Sequence, residues 1–558
     1  MIGKRIRHIK RYRDVAMVLT RNGFGFFVEE MGLLHMLSLP KRLLTNTGEI
    51  DPMTVGERIR QVIEELGPTY VKIGQIASTR ADIIPEKVLK ELEKLQDNVP
   101  PFSFDQVTAI IEEELGSSLE EIFSWIDEEA IAAASIGQVH RAQLRTGELV
   151  AVKVQHPQIK DMIETDLEIL LDLAKLAEHR IERMKHLKLR DIIEEFSKSL
   201  RNELDYTIEA RNAEKIAKQF RKDPTIHIPA IYWDYSTRTV LTMEYVEGIK
   251  LNQYEENEKR GFARKVIAEQ LVHALFHQVL IEGFFHADPH PGNIFLLPNN
   301  VISFIDFGMV GRLSVEMKQN FASLVIAMMR QSTEGIIKAI LRIGIVPDDV
   351  NLQFLTNDID ELRDKYMDIP MSRISLGESI NDLFTVAFRH RIRIPSDFTL
   401  LAKCLLTLEG IVIKLDPKLS IMDMAEPFGI QLFKERYRPS TIAGRIRHNI
   451  YEFGDLLIDL PKQIKDLIRN LMRGHIRFEV SVPELDIFLR KLDRFTNQIS
   501  FSIVLLSFSI ILAALIIASA LGREPILFWH ISSIEVGFTM AGLMLIWLLI
   551  SIFRSGKF

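Results

Sequence analysis

The chain contains 558 residues, 47% of them hydrophobic, and carries a formal net charge of −6. This length exceeds what a single hydrophobic core supports, so two to four structural units are expected. The charge balance gives no sign of nucleic-acid binding. The one cysteine, Cys404, excludes an intrachain disulfide and is expected to be a buried, inert thiol.

Residues 1–50 are predicted to form a basic helical lead-in. Six basic side chains lie close together there, interleaved with isoleucines: Lys4, Arg5, Arg7, Lys10, Arg11 and Arg13. Each basic residue near a bilayer surface contributes about 1 kcal/mol of attraction to anionic membrane lipid. A basic arm surrounded by solvent explains the same pattern, so both interpretations stay open.

Residues 51–127 are predicted to form a helical extension. Within it, residues 67–78 have the pattern of a turn followed by a helix with small residues on one side. Lys72 and Gln75 lie about one turn apart on this helix. Taken alone, they would be ordinary solvent-facing side chains.

Residues 128–247 are predicted to form the smaller lobe of a two-lobed fold, with helices inserted into its sheet. Strands are expected at 139–144 and 149–154, joined by a turn at 145–148. Lys153 lies inside the second strand, where a half-buried ammonium group is costly unless it is paired or bound to an anion. Phosphate oxygens would supply that anion.

The segment before these strands is predicted to bind nucleotide. Protein kinases have a glycine-rich loop in this place, because only glycine lets the backbone close over the phosphates. Here alanines replace the first glycines, and Gly137 alone remains. The residues predicted to contact nucleotide are Ala132, Ala133, Ala134, Ser135, Ile136, Gly137, Gln138 and Val139. A further strand, at 239–243, is expected to lead to a hinge whose backbone at Glu244, Tyr245 and Val246 would bind adenine.

Residues 248–440 are predicted to form a mostly helical second lobe that carries the catalytic groups. Phosphoryl transfer from a magnesium nucleotide needs an acid beside the acceptor, and an amide oxygen and a second carboxylate that hold Mg²⁺. Asp288 precedes Asn293 by five residues, as in the kinase pattern, and Asp306 opens a D-F-G motif after an apolar run. We therefore predict that Asp288 is catalytic and that Asn293 and Asp306 hold the metal. The alternative is that these residues only end turns and strands.

Together these motifs resemble the UbiB/AarF family of atypical kinase-like proteins, which is related to the mitochondrial coenzyme Q-supporting kinases. The resemblance covers roughly residues 50–440. It includes a K-x-G-Q element, the alanine-rich segment, an E-x-D element, H-A-D-P-H-P-G-N and D-F-G. It implies that Glu209 pairs with Lys153 and orients it toward the α- and β-phosphates.

The resemblance also assigns roles to the K-x-G-Q and E-x-D elements. It implies that Lys72 and Gln75 face the active site from a segment folded over the cleft, which would exclude a bulky acceptor. It further implies that Glu203 and Asp205 lie near Lys72 and the metal. Without the resemblance, both acids would be ordinary solvent-facing carboxylates.

Two departures from protein kinases bear on the substrate. Ala287 stands where the H-R-D motif has arginine, so no arginine is present there to hold a phosphorylated activation loop. His290 gives the loop a pattern similar to that of small-molecule kinases. An A-P-E motif is also missing at the usual distance after Asp306. Nothing in the sequence supports a protein substrate.

The last part of the chain is predicted to meet a membrane. Residues 441–498 are expected to form an amphipathic basic linker, lying either on a membrane surface or on the second lobe. Two apolar runs, 500–521 and 536–553, predict two transmembrane helices within 499–554. Basic residues outside both runs predict a cytoplasmic catalytic domain and a multi-pass location in the inner (cytoplasmic) membrane. A buried hairpin of a soluble protein is the alternative.

The expected fold is therefore α+β: a bilobal protein-kinase-like fold with a helical N-terminal extension and a C-terminal two-helix transmembrane hairpin. The expected function is that of a membrane-anchored atypical kinase or ATPase that binds Mg²⁺ with ATP or ADP. The resemblance implies support of isoprenoid quinone biosynthesis, of ubiquinone or menaquinone, with biosynthetic enzymes or isoprenoid lipid intermediates as partners. A small-molecule or lipid kinase and a non-catalytic nucleotide-binding scaffold are the alternatives.

Overall fold

A computed structural model of the chain describes residues 2–33, 53–80, 83–95, 100–184, 188–347, 350–367, 374–425 and 427–428, and scattered positions between 503 and 539. The chain divides into two compact units, Met1–Ile446 and Arg447–Phe558. Every predicted catalytic and nucleotide-binding residue belongs to the first unit.

The described part of the first unit combines many helices with short strands. Its helices are α1 (Ile2–Leu19), α2 (Gly25–Glu30), α3 (Val55–Leu66), α4 (Pro68–Ala77), α5 (Glu86–Leu92), α6 (Phe104–Leu115), α7 (Leu119–Ile122), α8 (Ile159–Arg180), α9 (Leu189–Glu203), α10 (Tyr206–Gln219), α11 (Tyr254–Lys259), α12 (Arg264–Phe276), α13 (Val315–Met329), α14 (Thr333–Ile343), α15 (Leu352–Met367), α16 (Leu376–Arg389) and α17 (Ser396–Leu415). Its strands are β1 (Phe123–Ile126), β2 (Ala132–Ala133), β3 (Gly137–Leu144), β4 (Leu149–Gln155), β5 (Ile226–His227), β6 (Val240–Glu244), β7 (Ile249–Lys250), β8 (Phe284–His286), β9 (Ile294–Leu297), β10 (Val301–Phe304) and β11 (Val310–Arg312).

The N-lobe is built on one antiparallel sheet. Its strand order is β1, β3, β4, β6, and β2 pairs with β3. On β4, Val150, Val152 and Val154 are fully buried against α6, whereas Lys153 points to the opposite face. This alternation is the period of two that a strand imposes, and it directs Lys153 toward the inserted helices.

Helices α8, α9 and α10 are inserted between β4 and β5 and cover the face of the sheet that carries Lys153. Their apolar side chains form a small core with Ile136 of the N-lobe and with Ile73 and Ile76 of α4. The helix with the K-x-G-Q element therefore packs on the inserted helices. Thr54 begins α3 with a capping box that includes Glu57, and Pro68 begins α4 directly after Gly67, whose φ is 94°.

The N-terminal helix is joined to this helical layer by a partly buried ion pair between Arg11 and Asp166. Arg11 Nε donates to Asp166 Oδ1 of α8 over 2.7 Å, and Arg11 also donates to the Leu66 carbonyl over 2.6 Å. Val15 and Ala16 of α1 are buried in the same region. Part of the basic lead-in is thus an internal element of the fold, and Arg11 is engaged within the protein.

The C-lobe contains the largest core and two small sheets. One sheet has the order β5, β10, β9, β7, with β5 and β10 parallel, and β8 pairs with β11 in the other. Helices α12 to α17 pack around them, and Phe276, Phe284, Phe285 and Phe307 are nearly inaccessible to solvent. The strands place two loops side by side, one after β8 and one after β10.

The C-terminal prediction requires a correction. The basic linker predicted at 441–498 lies outside the described residues, as does most of 499–554. Among the residues that the structure describes, no helix is both long and apolar enough to cross a bilayer. Residues Ile526–Phe528 and Ile531–Ser532 form a two-stranded antiparallel ladder.

On this finding, the predicted two-helix transmembrane hairpin is wrong, and so is the multi-pass inner-membrane location that was derived from it. The prediction rested on the length and apolarity of two sequence runs. Those properties give the energy that a helix would have in lipid, but they do not establish that one continuous helix forms.

Candidate active site

The strand lysine and the helix glutamate form an ion pair in the cleft between the lobes. Lys153 Nζ lies 2.8 Å from Glu209 Oε2, and the two side chains are 24% and 8% exposed. Strand β4 supplies the lysine and the first turn of α10 supplies the glutamate. Burial lowers the pKa of Lys153, but the carboxylates of Glu209 and Asp306 outweigh it and hold that pKa above its ordinary value. Lys153 is therefore charged and available to an anion.

Asp306 stands beside this pair in a constrained backbone conformation. Its φ is 64°, a left-handed value that is uncommon for a residue other than glycine. Its Oδ1 accepts a hydrogen bond from the Gly308 N–H over 3.1 Å. Burial raises the pKa of Asp306, but Lys153, the Gly308 N–H, His286 and Lys72 bring it below its ordinary value. Asp306 is therefore a carboxylate, and the described hydrogen bonds occupy only one of its oxygens.

Asp288 and Asn293 lie on the loop after β8, which is joined to the segment bearing Asp306. The Ile305 N–H donates to the Asn293 carbonyl over 2.9 Å, so Asn293 bonds to the residue immediately before Asp306. Within the described part of the chain, the side chains of Asp288 and Asn293 form no hydrogen bond. The backbone fixes this loop and leaves both side chains available to a ligand.

A histidine that the sequence analysis did not select organises the same loop. His286 is 1% exposed, its Nδ1 accepts from the Asp288 N–H over 3.1 Å, and its Nε2 lies 3.4 Å from the Ile305 carbonyl. Burial lowers the pKa of His286, which favours the neutral ring. The buried Cys404 donates to the His286 carbonyl over 3.1 Å, as an inert thiol can. The histidine of H-A-D was the available signal for this role.

The predicted residues of the K-x-G-Q and E-x-D elements separate into two groups. Lys72 Nζ lies 3.7 Å from Glu203 Oε2, and the Lys72 charge lowers the pKa of Asp306, so this pair is close to the site. Asp205 instead caps α10 through the Thr207 N–H and lies 3.5 Å from Arg238 Nε. Gln75 donates to the Leu95 carbonyl over 3.3 Å, within the extension. The expectations that Asp205 flanks the metal and that Gln75 faces the site have no support in these contacts.

The alanine-rich segment is a tight hairpin, whereas the sequence predicted a loop. Ala132 pairs with Val139 and Ala133 with Gln138, and the Ala134 N–H donates to the Gly137 carbonyl over 2.8 Å. Ala132 and Ala134 are exposed at its edge, while Ser135 is buried.

Three residues of this hairpin that were predicted to contact nucleotide also pack or bond within the protein. The Ile136 side chain enters the core of the inserted helices. Gln138 binds both backbone polar groups of Phe102, at 2.9 Å and 3.2 Å. A Cβ on Gly137 would clash with the Tyr206 hydroxyl and with the Val154 carbonyl. Gly137 is thus required for close packing, and its contact with the phosphates stays a prediction.

At the predicted hinge, two of the three backbone N–H groups form hydrogen bonds within the protein. The Glu244 N–H donates to the Ala230 carbonyl over 2.8 Å, and the Tyr245 N–H donates to the Leu149 carbonyl over 3.0 Å. Two of the backbone donors expected to meet adenine are therefore engaged, which leaves Val246 as the candidate. The Glu244 carboxylate lies 3.0 Å from His227 Nε2 and so links β6 of the N-lobe to β5 of the C-lobe.

The donors at the cleft suit magnesium. Asp306 and Asn293 offer hard oxygen atoms on two segments that are directly bonded to each other, and Mg²⁺ prefers a few such ligands together with phosphate and water. Among the described residues, the cleft included, no three His, Cys, Asp or Glu side chains form a potential metal site, so the protein would offer Mg²⁺ only a few ligands. A separate apolar pocket lies in the C-lobe, lined by residues such as Ile336, Leu362 and Leu383. It contains none of the predicted site residues.

Comparison with known proteins gives three family matches along the chain. An ABC1 atypical kinase-like domain matches residues 94–340, a UbiB helical domain matches 359–420, and an ABC1/UbiB kinase-like C-terminal domain matches 483–554. An uncharacterized protein of Synechocystis is 35% identical over 80% of this chain and 78% of its own length. A protein from the hydrogenase 1 5′ region of Clostridium pasteurianum is 31% identical over 98% and 99% of the two chains. A probable protein kinase UbiB of Pseudomonas fluorescens is 35% identical over 76% and 79%.

Proposed function

The chain belongs to the ABC1/UbiB family of atypical kinase-like proteins, and from this premise we propose that it binds a magnesium nucleotide between its lobes and hydrolyses it. The observation that carries the proposal is the convergence of Lys153, Glu209 and Asp306, with Asn293 bonded to the residue next to Asp306. An ammonium group, an amide and a carboxylate so arranged are the groups that phosphoryl transfer requires.

Each residue has a definite task in this proposal. Lys153, held by Glu209, binds the α- and β-phosphates. Asn293 and Asp306 hold Mg²⁺, which when bound offsets the negative charge of the phosphates. Asp288 orients the attacking oxygen, because its carboxylate has no hydrogen bond to a described residue while its backbone N–H is held by His286.

Water is the acceptor that the surroundings favour. The Lys72–Glu203 pair lies near Asp306, and α4 packs on the inserted helices, so residues of the extension approach the same cleft. His290 resembled a small-molecule kinase residue in the sequence, but its Nδ1 accepts from the Gly292 N–H over 3.1 Å and thereby caps the turn Pro291–Asn293. Its structural use removes the main argument for a dedicated hydroxyl acceptor.

We further propose that the hydrolysis supports isoprenoid quinone biosynthesis. This proposal is supported by the family matches and by the relatives named UbiB. The test is the quinone content of a deletion strain complemented with the parent chain or with Asp306→Asn. Quinone levels should return with the parent chain only. Equal recovery with both would contradict a role for hydrolysis.

The biochemical test uses purified protein and ATP labelled at its terminal phosphate. Asp306→Asn should lower phosphate release about 10³-fold, a loss of about 4 kcal/mol of transition-state stabilisation, because a neutral amide binds Mg²⁺ less strongly than the carboxylate it replaces. Asp364→Asn is the matched control, since Asp364 lies on α15 in an exposed ion pair with Arg363. Undiminished release by Asp306→Asn would contradict the metal assignment. A labelled organic product in place of free phosphate would identify a kinase.

A further inference from the structure

Tyr206 carries a buried hydroxyl group that lacks a partner. The residue is the first of α10 and is 2% exposed, and its Oη forms no hydrogen bond with any described residue. A buried hydroxyl without a partner is unfavourable, so such groups commonly mark a ligand or a functional role. Tyr206 was not among the residues selected from the sequence, although it directly follows the E-x-D element.

The surroundings of this hydroxyl are those of the proposed nucleotide site. Lys153 Nζ lies 5.0 Å from the centre of the Tyr206 ring. The charges of Lys153, Glu209, Lys72 and Asp306 all act on the phenol. The hydroxyl also lies directly under Gly137, where a Cβ would clash with it. Tyr206 is therefore between the alanine-rich hairpin and the groups expected to bind phosphate.

Two backbone donors of the hairpin are engaged within it. The Ala134 N–H donates to the Gly137 carbonyl over 2.8 Å, and the Ile131 N–H donates to the Val139 carbonyl over 2.9 Å. These two donors are not available to a ligand, so side-chain donors near the hairpin gain importance for a phosphate bound beneath it. Tyr206 Oη is suitably placed, and the buried Ser135 Oγ in the same hairpin likewise has no partner among the described residues.

We infer that Tyr206 is a further nucleotide-binding residue, whose hydroxyl donates a hydrogen bond to a phosphoryl oxygen of the bound nucleotide. This inference rests on the proposed function and names a group that the kinase-like pattern does not include. The aromatic ring at the same time supports the ammonium group of Lys153 by a cation–π contact. Tyr206 thus combines two tasks, one through its ring and one through its hydroxyl.

The test is Tyr206→Phe, which removes the hydroxyl and keeps the ring. Calorimetric titration with Mg-ATP should give about tenfold weaker binding, or about 1.4 kcal/mol, with adenosine affinity unchanged. The melting temperature of the nucleotide-free protein should not fall, because the variant loses a hydroxyl that had no partner. Tyr70→Phe is the matched control, since Tyr70 has a buried hydroxyl without a described partner on the extension.

The outcomes separate the two proposals. Equal Mg-ATP affinity in Tyr206→Phe and the parent would overturn the inference and leave the proposed function standing. An equal loss for adenosine would overturn it too, because the contact would then not be to phosphate. A lower melting temperature without nucleotide would show a structural role instead. If the parent itself fails to bind Mg-ATP, the proposed function fails and the inference fails with it.

Discussion

The two walls of the cleft hold their functional side chains in different ways. On the N-lobe wall, Lys153 and Glu209 form a buried ion pair, with the Tyr206 ring against the ammonium group. On the C-lobe wall, Asp288 and Asn293 have no side-chain hydrogen bonds to described residues, and their loop is held by its main-chain groups, which bond to other backbone groups and to the rings of His286 and His290. The functional side chains thus bond to each other on the N-lobe wall, whereas on the C-lobe wall Asp288 and Asn293 are left without partners among the described residues.

This difference predicts how each wall responds to mutation. Side chains that compensate each other's charge contribute to folding as well as to binding, because removing one leaves the other buried and unpaired. Side chains with no protein partner contribute little to folding, so their loss is felt in turnover. Substitutions on the two walls should therefore be distinguishable by stability.

The largest effect on turnover is expected from Asp288→Asn on the C-lobe wall. Removing a group that orients the attacking oxygen should lower the turnover number about 10³-fold. The free energy of unfolding should change by less than about 0.5 kcal/mol, because the Asp288 side chain has no hydrogen bond to lose. Steady-state kinetics and urea unfolding measure the two quantities. A clear fall in the free energy of unfolding would contradict the proposed difference between the two walls.

Glu209→Gln on the N-lobe wall should lower both the turnover number and the free energy of unfolding. It leaves Lys153 without its closest carboxylate, and we expect the free energy of unfolding to fall by about 3 kcal/mol and turnover by about 10²-fold. Urea unfolding is compared with that of Glu194→Gln, which breaks an exposed ion pair with Arg190 and should cost less than about 0.5 kcal/mol. If the two variants are equally stable, the Lys153–Glu209 pair does not contribute to the stability of the N-lobe wall.

The smallest effect is expected at the link between the lobes. The hydrogen bond with Glu244 raises the pKa of His227 above its ordinary value, and the link is present while His227 is protonated. Its stabilisation should therefore be complete below about pH 6.5 and decline as the pH rises through the raised pKa. Both side chains are 35% exposed, so the stabilisation should be at most about 1 kcal/mol.

The substitution that tests this link is His227→Gln. It should flatten the dependence of unfolding free energy on pH between about pH 6 and pH 8. Urea unfolding at several pH values measures the slope. A slope equal to that of the parent would show that His227 does not contribute.

The parts of the site that could be predicted were those fixed by short-range spacing. Asp288 and Asn293 share one loop, and Lys153 lies on a strand whose alternation sets its direction. The apolar run before Asp306 forms the strand β10. These features depend on local geometry, which the sequence contains in full.

The features that were missed depend on contacts between distant segments. Gln138 looked like a nucleotide ligand until its partner, Phe102, was placed 36 residues away. Arg11 looked like a surface charge, but it pairs with Asp166 in another helix. The partnerless hydroxyl of Tyr206 becomes visible only when the hairpin is packed above it. The transmembrane prediction was wrong because it rested on the hydropathy of two sequence runs, which does not establish that one continuous helix forms.

The hydrogen bond from the Ile305 N–H to the Asn293 carbonyl has a consequence for ion selection. It joins the main chains of the two segments that carry the expected metal ligands. An ion between Asn293 and Asp306 would be bound by both segments without any loop having to close. The ligand distances would then adjust to cations of other radii only by rotation of the two side chains. This arrangement suits a small ion with strict coordination geometry better than a large ion with a variable coordination shell.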